Sequence, residues 1–285
     1  MPELPEVETL RKHLEANIIG YRIRKVKVFK ERIVRPESYL ELENALRGRQ
    51  ILEINRRGKY LIAKLGPKTK PIEVLIHLGM TGRLFWTGKE DSRDQFRHLT
   101  VLLECDKGYV CYVDPRIFGR WSLDLSSIDR LGPEPLDSPV FHASYLYDKF
   151  KNRKAKLKDL LMNQSCVAGL GNIYVCEALH AAGLHPLRQV GQLTLIELKN
   201  LCQWIRRILT SALEIGESSE LSLQGVEGGD DFFYFGRSKK SDHAIQERFR
   251  VYDRENEPCC KCNCLIERMM ISQRSTYFCP KCQKV

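Results

Sequence analysis

The chain has 285 residues, 43% of them hydrophobic, and no stretch of eighteen apolar residues. It opens on an acidic, amphipathic segment where a secretory leader would be basic and then apolar, so the sequence argues against a membrane span and a signal peptide and predicts an intracellular protein, cytoplasmic or nucleoid-associated if bacterial. Forty-six Lys and Arg against 36 Asp and Glu leave a formal charge of +10, which favours a polyanionic partner bound through counterion release.

The first element is a helix, with Val7, Leu10, Leu14 and Ile18 on one face behind Met1-Pro2-Glu3-Leu4-Pro5-Glu6. Prolines and carboxylates suit a helix start. The same residues also carry chemistry. Once Met1 is trimmed, Pro2 is a terminal secondary amine with a pKa near ~8, able to attack an electrophilic carbon, and Glu3 lies one residue away for proton transfer. Residues 21–29 alternate apolar and basic as a half-exposed strand does, and Ile51–Ile54, Tyr60–Leu65, Ile72–Leu78 and Gly82–Trp86 follow as short strands. Leu99–Glu104 and Tyr109–Val113 flank Asp106-Lys107-Gly108 as a hairpin, so residues 1–130 read as an antiparallel sheet domain. Pro133, Pro135 and Pro139 mark a linker over 131–143. Beyond it the period turns helical at Tyr145–Asn163, Ile173–Ala182 and Thr194–Ile215, giving a mainly α domain over 144–243. Residues 216–243, Gly- and Ser-rich around Phe232, Phe233, Tyr234 and Phe235, read as a long functional loop.

Six of the eleven cysteines fall between Cys259 and Cys282, so a local metal site is favoured over disulfides. Cys259-x2-Cys262 and Cys279-x2-Cys282 form two knuckles that close a four-thiolate structural zinc site within residues 244–285. Cys260 and Cys264 offer competing registers without the two-residue spacing. The segment between the knuckles reads as a β-hairpin with Gln273-Arg274 near its tip.

Pro2-Glu3-Leu4-Pro5-Glu6-Val7-Glu8, Arg56-Arg57-Gly58-Lys59-Tyr60-Leu61, Gly132-Pro133-Glu134-Pro135-Leu136, Val167-Ala168-Gly169-Leu170-Gly171-Asn172-Ile173-Tyr174 and the terminal cysteines follow one another in an order that resembles the formamidopyrimidine-DNA glycosylase family, the Fpg/MutM branch of the Fpg/Nei superfamily. The resemblance implies an α+β multidomain fold. Its parts are a β-sandwich with an N-terminal helix, a helix–two-turn–helix domain and a zinc-finger hairpin, with DNA in a basic cleft. The implied activity is that of a bifunctional glycosylase and abasic-site lyase of base excision repair. It would act as a monomer on double-stranded DNA holding oxidised purines, such as 8-oxoguanine or formamidopyrimidine, or abasic sites. The resemblance assigns the nucleophile to Pro2, proton transfer to Glu3 and orientation of the terminus to Glu6. Lys59 is counted with these catalytic residues and also contacts phosphate, as do His77, Asn172 and Arg274, and Lys158 matches a lysine near the cleft. Met80, Arg116 and Phe118 match the wedge that fills the gap left by an extruded base. His98 reads as structural.

Three departures bear on substrate choice: Gly216-Glu217-Ser218-Ser219-Glu220-Leu221 differs from the family's run, Asn163 stands where an Asp is usual, and Phe96-Arg97-His98 replaces a His-Asp-His pattern. Two alternatives stay open, an endonuclease VIII-like enzyme for oxidised pyrimidines and a non-catalytic zinc-finger DNA-binding protein.

Overall fold

A computed structural model describes residues 2–88, 96–218 and 249–284. These residues fall into two compact units, one made of the residues up to Asp129 together with the end of the last helix from Ile215, the other of Arg130–Glu214 with residues 249–284. The loop expected over 216–243 lies outside the described residues except at its start, where the last helix continues through Ser218.

In the first unit, helix α1 (Leu4–Ile18) buries Val7, Leu10, Leu14 and Ile18, the stripe its spacing foretells. Eight strands follow: β1 (Ile23–Val28), β2 (Ile51–Arg57), β3 (Tyr60–Leu65), β4 (Ile72–His77), β5 (Arg83–Thr87), β6 (Leu99–Cys105), β7 (Gly108–Val113) and β8 (Arg120–Ser122). They form two four-stranded antiparallel sheets, ordered β1-β6-β7-β5 and β2-β3-β4-β8. Alternate residues of each sheet face one core: Leu61, Ala63 and Leu65 of β3 and Val74 and Ile76 of β4 meet Val101 and Leu103 of β6 and Val110 and Tyr112 of β7. Each such aliphatic side chain contributes roughly 1.5–3 kcal/mol when taken out of water.

Helix α2 (Tyr39–Leu46) has no counterpart among the sequence expectations. It starts from a Ser38/Glu41 capping box and buries Leu42 and Leu46. A four-residue turn of helix, α3 (Ser126–Asp129), closes the unit.

In the second unit, residues 131–142 contain no helix or strand, as the prolines require. They are held instead by Arg206, whose guanidinium donates to the carbonyls of Pro135 (2.9 Å) and Phe141. The single helix expected over Tyr145–Asn163 is two, α4 (Ala143–Phe150) and α5 (Leu157–Met162). The intervening basic run is drawn into extended pairing with residues 188–191: Lys156 bridges Gln189, and the Gly191 and Val190 N–H groups donate to the carbonyls of Arg153 and Ala155. Helix α6 (Asn172–Ala182) ends at Gly183 in the left-handed region (φ 72°), and α7 (Leu195–Ser218) starts from a Thr194/Glu197 capping box. Strands β9 (Glu267–Ile271) and β10 (Arg274–Phe278) make the hairpin. Its two-residue turn is Ser272-Gln273, both at positive φ, so Arg274 opens the strand one residue past the tip.

The hub of this unit is α6. The buried Glu177 carboxylate accepts the backbone N–H groups of Arg250, Val251 and Tyr252, each at 2.9 Å, and so seats the segment that leads into the hairpin. Burial raises its pKa and the three N–H donors oppose that rise.

Candidate functional site

Pro2, Glu3 and Glu6 are all buried at the start of α1. The Glu3 N–H donates to Glu6 Oε2 at 2.8 Å, so the second carboxylate fixes the backbone one residue from Pro2. Glu8 lies on the same helix and reaches out of it. It accepts from Arg56 Nε at 2.8 Å and from Arg11 Nε at 2.9 Å, and Arg56 in turn donates to the Gly58 carbonyl at 3.0 Å. That chain of contacts ties the helix bearing Pro2 to the β2–β3 turn, Gly58-Lys59, where Gly58 takes the left-handed φ of 57° that a tight hairpin asks of its first loop residue.

Lys59 is buried, and β3–β4 register sets Tyr60 opposite His77 with ring centroids 4.7 Å apart. Burial pulls the His77 pKa down to about 4, helped by the charges of Lys59, Arg120 and Arg35. At neutral pH the ring is therefore uncharged. Its Nδ1 accepts the Gly79 N–H at 3.1 Å, which leaves the proton on Nε2 as the outward donor. The structure thus brings Lys59 and His77 into one electrostatic neighbourhood.

Met80 and Phe118 are exposed large apolar side chains, and Arg116 is exposed with its guanidinium 4.7 Å from the Phe118 ring centroid. They stand on two abutting loops. A Cβ on Gly79 (φ 65°) would come within 2.5 Å of the Phe118 carbonyl carbon, and Cβ atoms on Gly82 and Gly119 would overlap the Tyr112 hydroxyl. Asp114, fully buried, accepts from Thr81 Oγ1 (2.6 Å), the Arg116 N–H (3.3 Å) and the Gly119 N–H (2.8 Å). One carboxylate thereby fastens both loops, which leaves the three projecting side chains on a rigid base. His98 supports the same frame through its backbone: its carbonyl accepts the Asp114 N–H at 3.1 Å while its own side chain is exposed at φ 69°.

In the second unit, Gln164 shapes the glycine loop. Its Oε1 accepts the Gly169 N–H (2.9 Å) and its Nε2 donates to the Leu170 carbonyl (2.7 Å), so the Gly169 N–H is already engaged, and at the start of α6 Gly171 is buried and Asn172 half-buried. Asn163 Oδ1 accepts both the Ser165 N–H (2.9 Å) and hydroxyl (2.8 Å), work that an aspartate oxygen does equally. Asn172 Nδ2 donates to the Ser275 carbonyl at 2.8 Å. Lys158 donates to that same carbonyl at 3.4 Å and to the Thr276 hydroxyl. It is fully buried, so it is no solvated surface lysine: its ammonium ties α5 to β10 beside the exposed Arg274. An open depression lined by Lys158, Asp159, Met162, Asn163 and Arg274 lies there.

The four sulfurs of Cys259, Cys262, Cys279 and Cys282 lie within 4.8 Å of one another, with Cys259–Cys282 at 3.9 Å and Cys262–Cys279 at 3.4 Å. Four sulfurs held about 2.3 Å from a central zinc would stand about 3.8 Å apart, so the donor set and its spacing fit a tetrahedral metal site. Cys260 and Cys264 are outside the cluster. Sequence reasoning assigned nothing to Arg56, Asp114, Gln164 and Glu177. Arg56, Asp114 and Glu177 each reach a partner far along the chain (Glu8, Thr81 and residues 250–252), and Gln164 folds back on Gly169 and Leu170 with no local motif to announce it.

Known proteins match the whole chain. The family model of the formamidopyrimidine-DNA glycosylase N-terminal domain matches residues 1–121, and that of the formamidopyrimidine-DNA glycosylase H2TH domain matches residues 131–223. The chain is 38% identical over 302 aligned residues to the formamidopyrimidine-DNA glycosylase of Dinoroseobacter shibae, with all of both chains covered. It is 37% identical over 292 residues to that of Symbiobacterium thermophilum, covering all of this chain and 90% of the relative. A mutant Lactococcus lactis enzyme solved with Fapy-dG DNA superposes with a TM-score of 0.85 at 31% identity, and the wild-type enzyme with an oxidised pyrimidine in its DNA gives 0.84 at 32%, each over all of both chains. The same enzyme bound to abasic-site DNA gives 0.83 at 31%, over 99% of this chain and all of that one.

Proposed function

We propose, since this chain belongs to the formamidopyrimidine-DNA glycosylase family and is a DNA-binding repair glycosylase, that it excises oxidised purines through Pro2 and then cleaves the strand at the abasic site. The observation that carries the reading is the buried terminus, where Glu6 fixes the Glu3 backbone and so holds the residue that bears the amine. With Met1 removed, the Pro2 nitrogen attacks C1′ and the base departs with the bonding electrons. Glu3 gives a proton to the ring oxygen, the sugar opens, and the resulting iminium withdraws electrons so that the 3′ and then the 5′ phosphate leave by successive β- and δ-elimination.

Lys59 and the neutral His77 supply phosphate donors on one unit, and Asn172 and Arg274 on the other. Met80, Arg116 and Phe118 take the place of the extruded base, the guanidinium pairing with the widowed partner. The cysteine cluster holds one zinc ion, which is closed to chemistry and fixes the hairpin that carries Arg274. The protein works as a monomer on double-stranded DNA in the compartment that houses it. No helix among the described residues is long and apolar enough to cross a membrane.

Borohydride trapping tests the reading. Wild type with an 8-oxoguanine duplex gives a covalent complex, and Pro2→Gly or an N-terminal tag that blocks Pro2 removes trapping while duplex binding persists. Equal trapping and cleavage by the blocked protein would refute the terminal nucleophile and favour a binding protein. A panel of purine and pyrimidine lesions fixes the substrate class, which matters because the Lactococcus neighbour was solved with DNA of both kinds.

A further inference from the structure

We propose that His180 is a positioning residue for the cysteine cluster, donating a hydrogen bond from its ring to the Cys259 thiolate and thereby fastening the metal site to α6. The inference rests on the cluster holding zinc, and it concerns a side chain for which neither spacing nor family resemblance supplies a role.

His180 sits in the last turn of α6 with no exposed surface, and its Nε2 lies 3.3 Å from Cys259 Sγ. Its Nδ1 is buried and has no hydrogen-bond partner among the described residues. A neutral imidazole carries one N–H, and a ligating cysteine carries none. With the proton on Nε2, the N–H meets the sulfur and only an acceptor lone pair goes unused. With the proton on Nδ1, a buried donor is stranded and a nitrogen lone pair faces a thiolate, which is unfavourable at both ends. The geometry therefore selects the Nε2–H form.

Cys259 is itself fully buried and its sulfur also accepts the Lys261 N–H at 3.5 Å. Four thiolates around one divalent cation carry a net negative charge, and each N–H drawn to a sulfur spreads that charge and orients the ligand. Lys261 reinforces the same joint, its ammonium donating to the carbonyls of His180 (3.3 Å) and Ala181 (3.1 Å), where a cation also suits the C-terminal end of the helix dipole. The other end of α6 begins at Asn172, whose side chain holds the Ser275 carbonyl. Eight residues of helix, about 12 Å, thus join the metal knuckle to the proposed phosphate-binding strand.

The test uses the full chain as wild type, His180→Phe and His180→Gln. Phenylalanine keeps the ring volume without the donor, and glutamine keeps an N–H. Zinc content comes from metal analysis, zinc release from transfer to a chromogenic chelator, and thiolate donor strength from the sulfur-to-metal charge-transfer band of the cobalt-substituted protein. His180→Phe should stay folded by thermal unfolding, bind zinc about tenfold or more weakly with correspondingly faster release, and show the band at lower energy, while His180→Gln stays near wild type. Wild-type release and an unmoved band in folded His180→Phe would overturn the role. If that variant does not fold, folded His180→Gln decides: release within about twofold of wild type supports the donor, and a tenfold rise overturns it. Wild type without zinc would instead remove the zinc reading itself.

Discussion

Arg56 is the residue on which the placement of the terminus turns, and the cost of removing it follows from its contacts. Its side chain is 6% exposed, its Nε is 2.8 Å from Glu8 Oε2, and it donates to the Gly58 carbonyl at 3.0 Å. Stripping one partner from a buried ion pair costs about 3–5 kcal/mol when the other charge is left alone. Glu8 is not left alone, because Arg11 Nε remains at 2.9 Å, so the loss from these two contacts reduces to two hydrogen bonds from the charged guanidinium, about 3 kcal/mol together at the lower end of their range. Arg56→Met, which keeps the apolar stem, should lower the melting temperature of the first unit by roughly 6–12 °C. Trapping of abasic DNA should fall with it, since the slackened helix carries Pro2. Arg11 still holds α1 to the Ile54 carbonyl at 3.3 Å, so the fold survives. Thermal unfolding of Arg56→Met, Glu8→Gln and the double variant forms a cycle. A coupling under about 0.5 kcal/mol, or wild-type trapping in Arg56→Met, would refute the argument.

His77 titrates near 4 in the fold against an ordinary value near 6.5, so the unfolded chain takes the proton first: stability from this residue is intact above about pH 6.5 and falls by about 3 kcal/mol as pH drops toward 4. Urea midpoints of wild type and His77→Gln at pH 7.5 and 5 should converge at the lower pH, and parallel losses would exclude His77 as the cause. Gly79→Ala forces a side chain into a left-handed position (φ 65°) against the Phe118 carbonyl carbon 2.5 Å away, and should cost about 2–3 kcal/mol with a loss of base excision that exceeds the loss at preformed abasic sites. Asn163→Asp should change stability by less than about 0.5 kcal/mol in chemical denaturation, because the acceptor oxygen that serves Ser165 is retained.

The elements legible in the sequence are those whose signal is local. The stripe of Val7, Leu10, Leu14 and Ile18 gives α1, the Asp106-Lys107 turn gives the β6–β7 hairpin, and the cysteine spacing gives the cluster. Helix α2 was also local, written in the Ser38-x-x-Glu41 box, but its eight residues are too few for a periodic pattern to stand out. Strand β8, three residues long, has no period at all and exists because Trp121 and Arg120 pair with β4. The break between α4 and α5 depends on pairing with residues 188–191, which no window around 151–156 contains. In the site, Lys59 and His77 are each visible as motif residues, yet their mutual influence needs the Tyr60–His77 register. Lys158 is legible by resemblance as a lysine near the cleft, yet nothing nearby in sequence announces Ser275 and Thr276 as its partners.

The buried polar groups divide by what they hold, and the division bears on which substitutions the site tolerates. Asp114 and Glu177 accept mostly backbone N–H groups, and Gln164 bonds main-chain carbonyls and an N–H, so they fix loop shape irrespective of the side chains those loops display. Met80, Arg116 and Phe118 stand on such a base, and they can therefore be exchanged for other side chains with little loss of frame, whereas Asp114 cannot. Lys158 and Asn172 obey the converse rule, both spending donors on one main-chain carbonyl, Ser275. Any change that moves that carbonyl disturbs α5 and the start of α6 at once. Backbone geometry at residue 275, set by the turn Ser272-Gln273 and by the cysteines beyond Phe278, thus governs where Arg274 and Asn172 stand more directly than the identity of the residue at 275 itself.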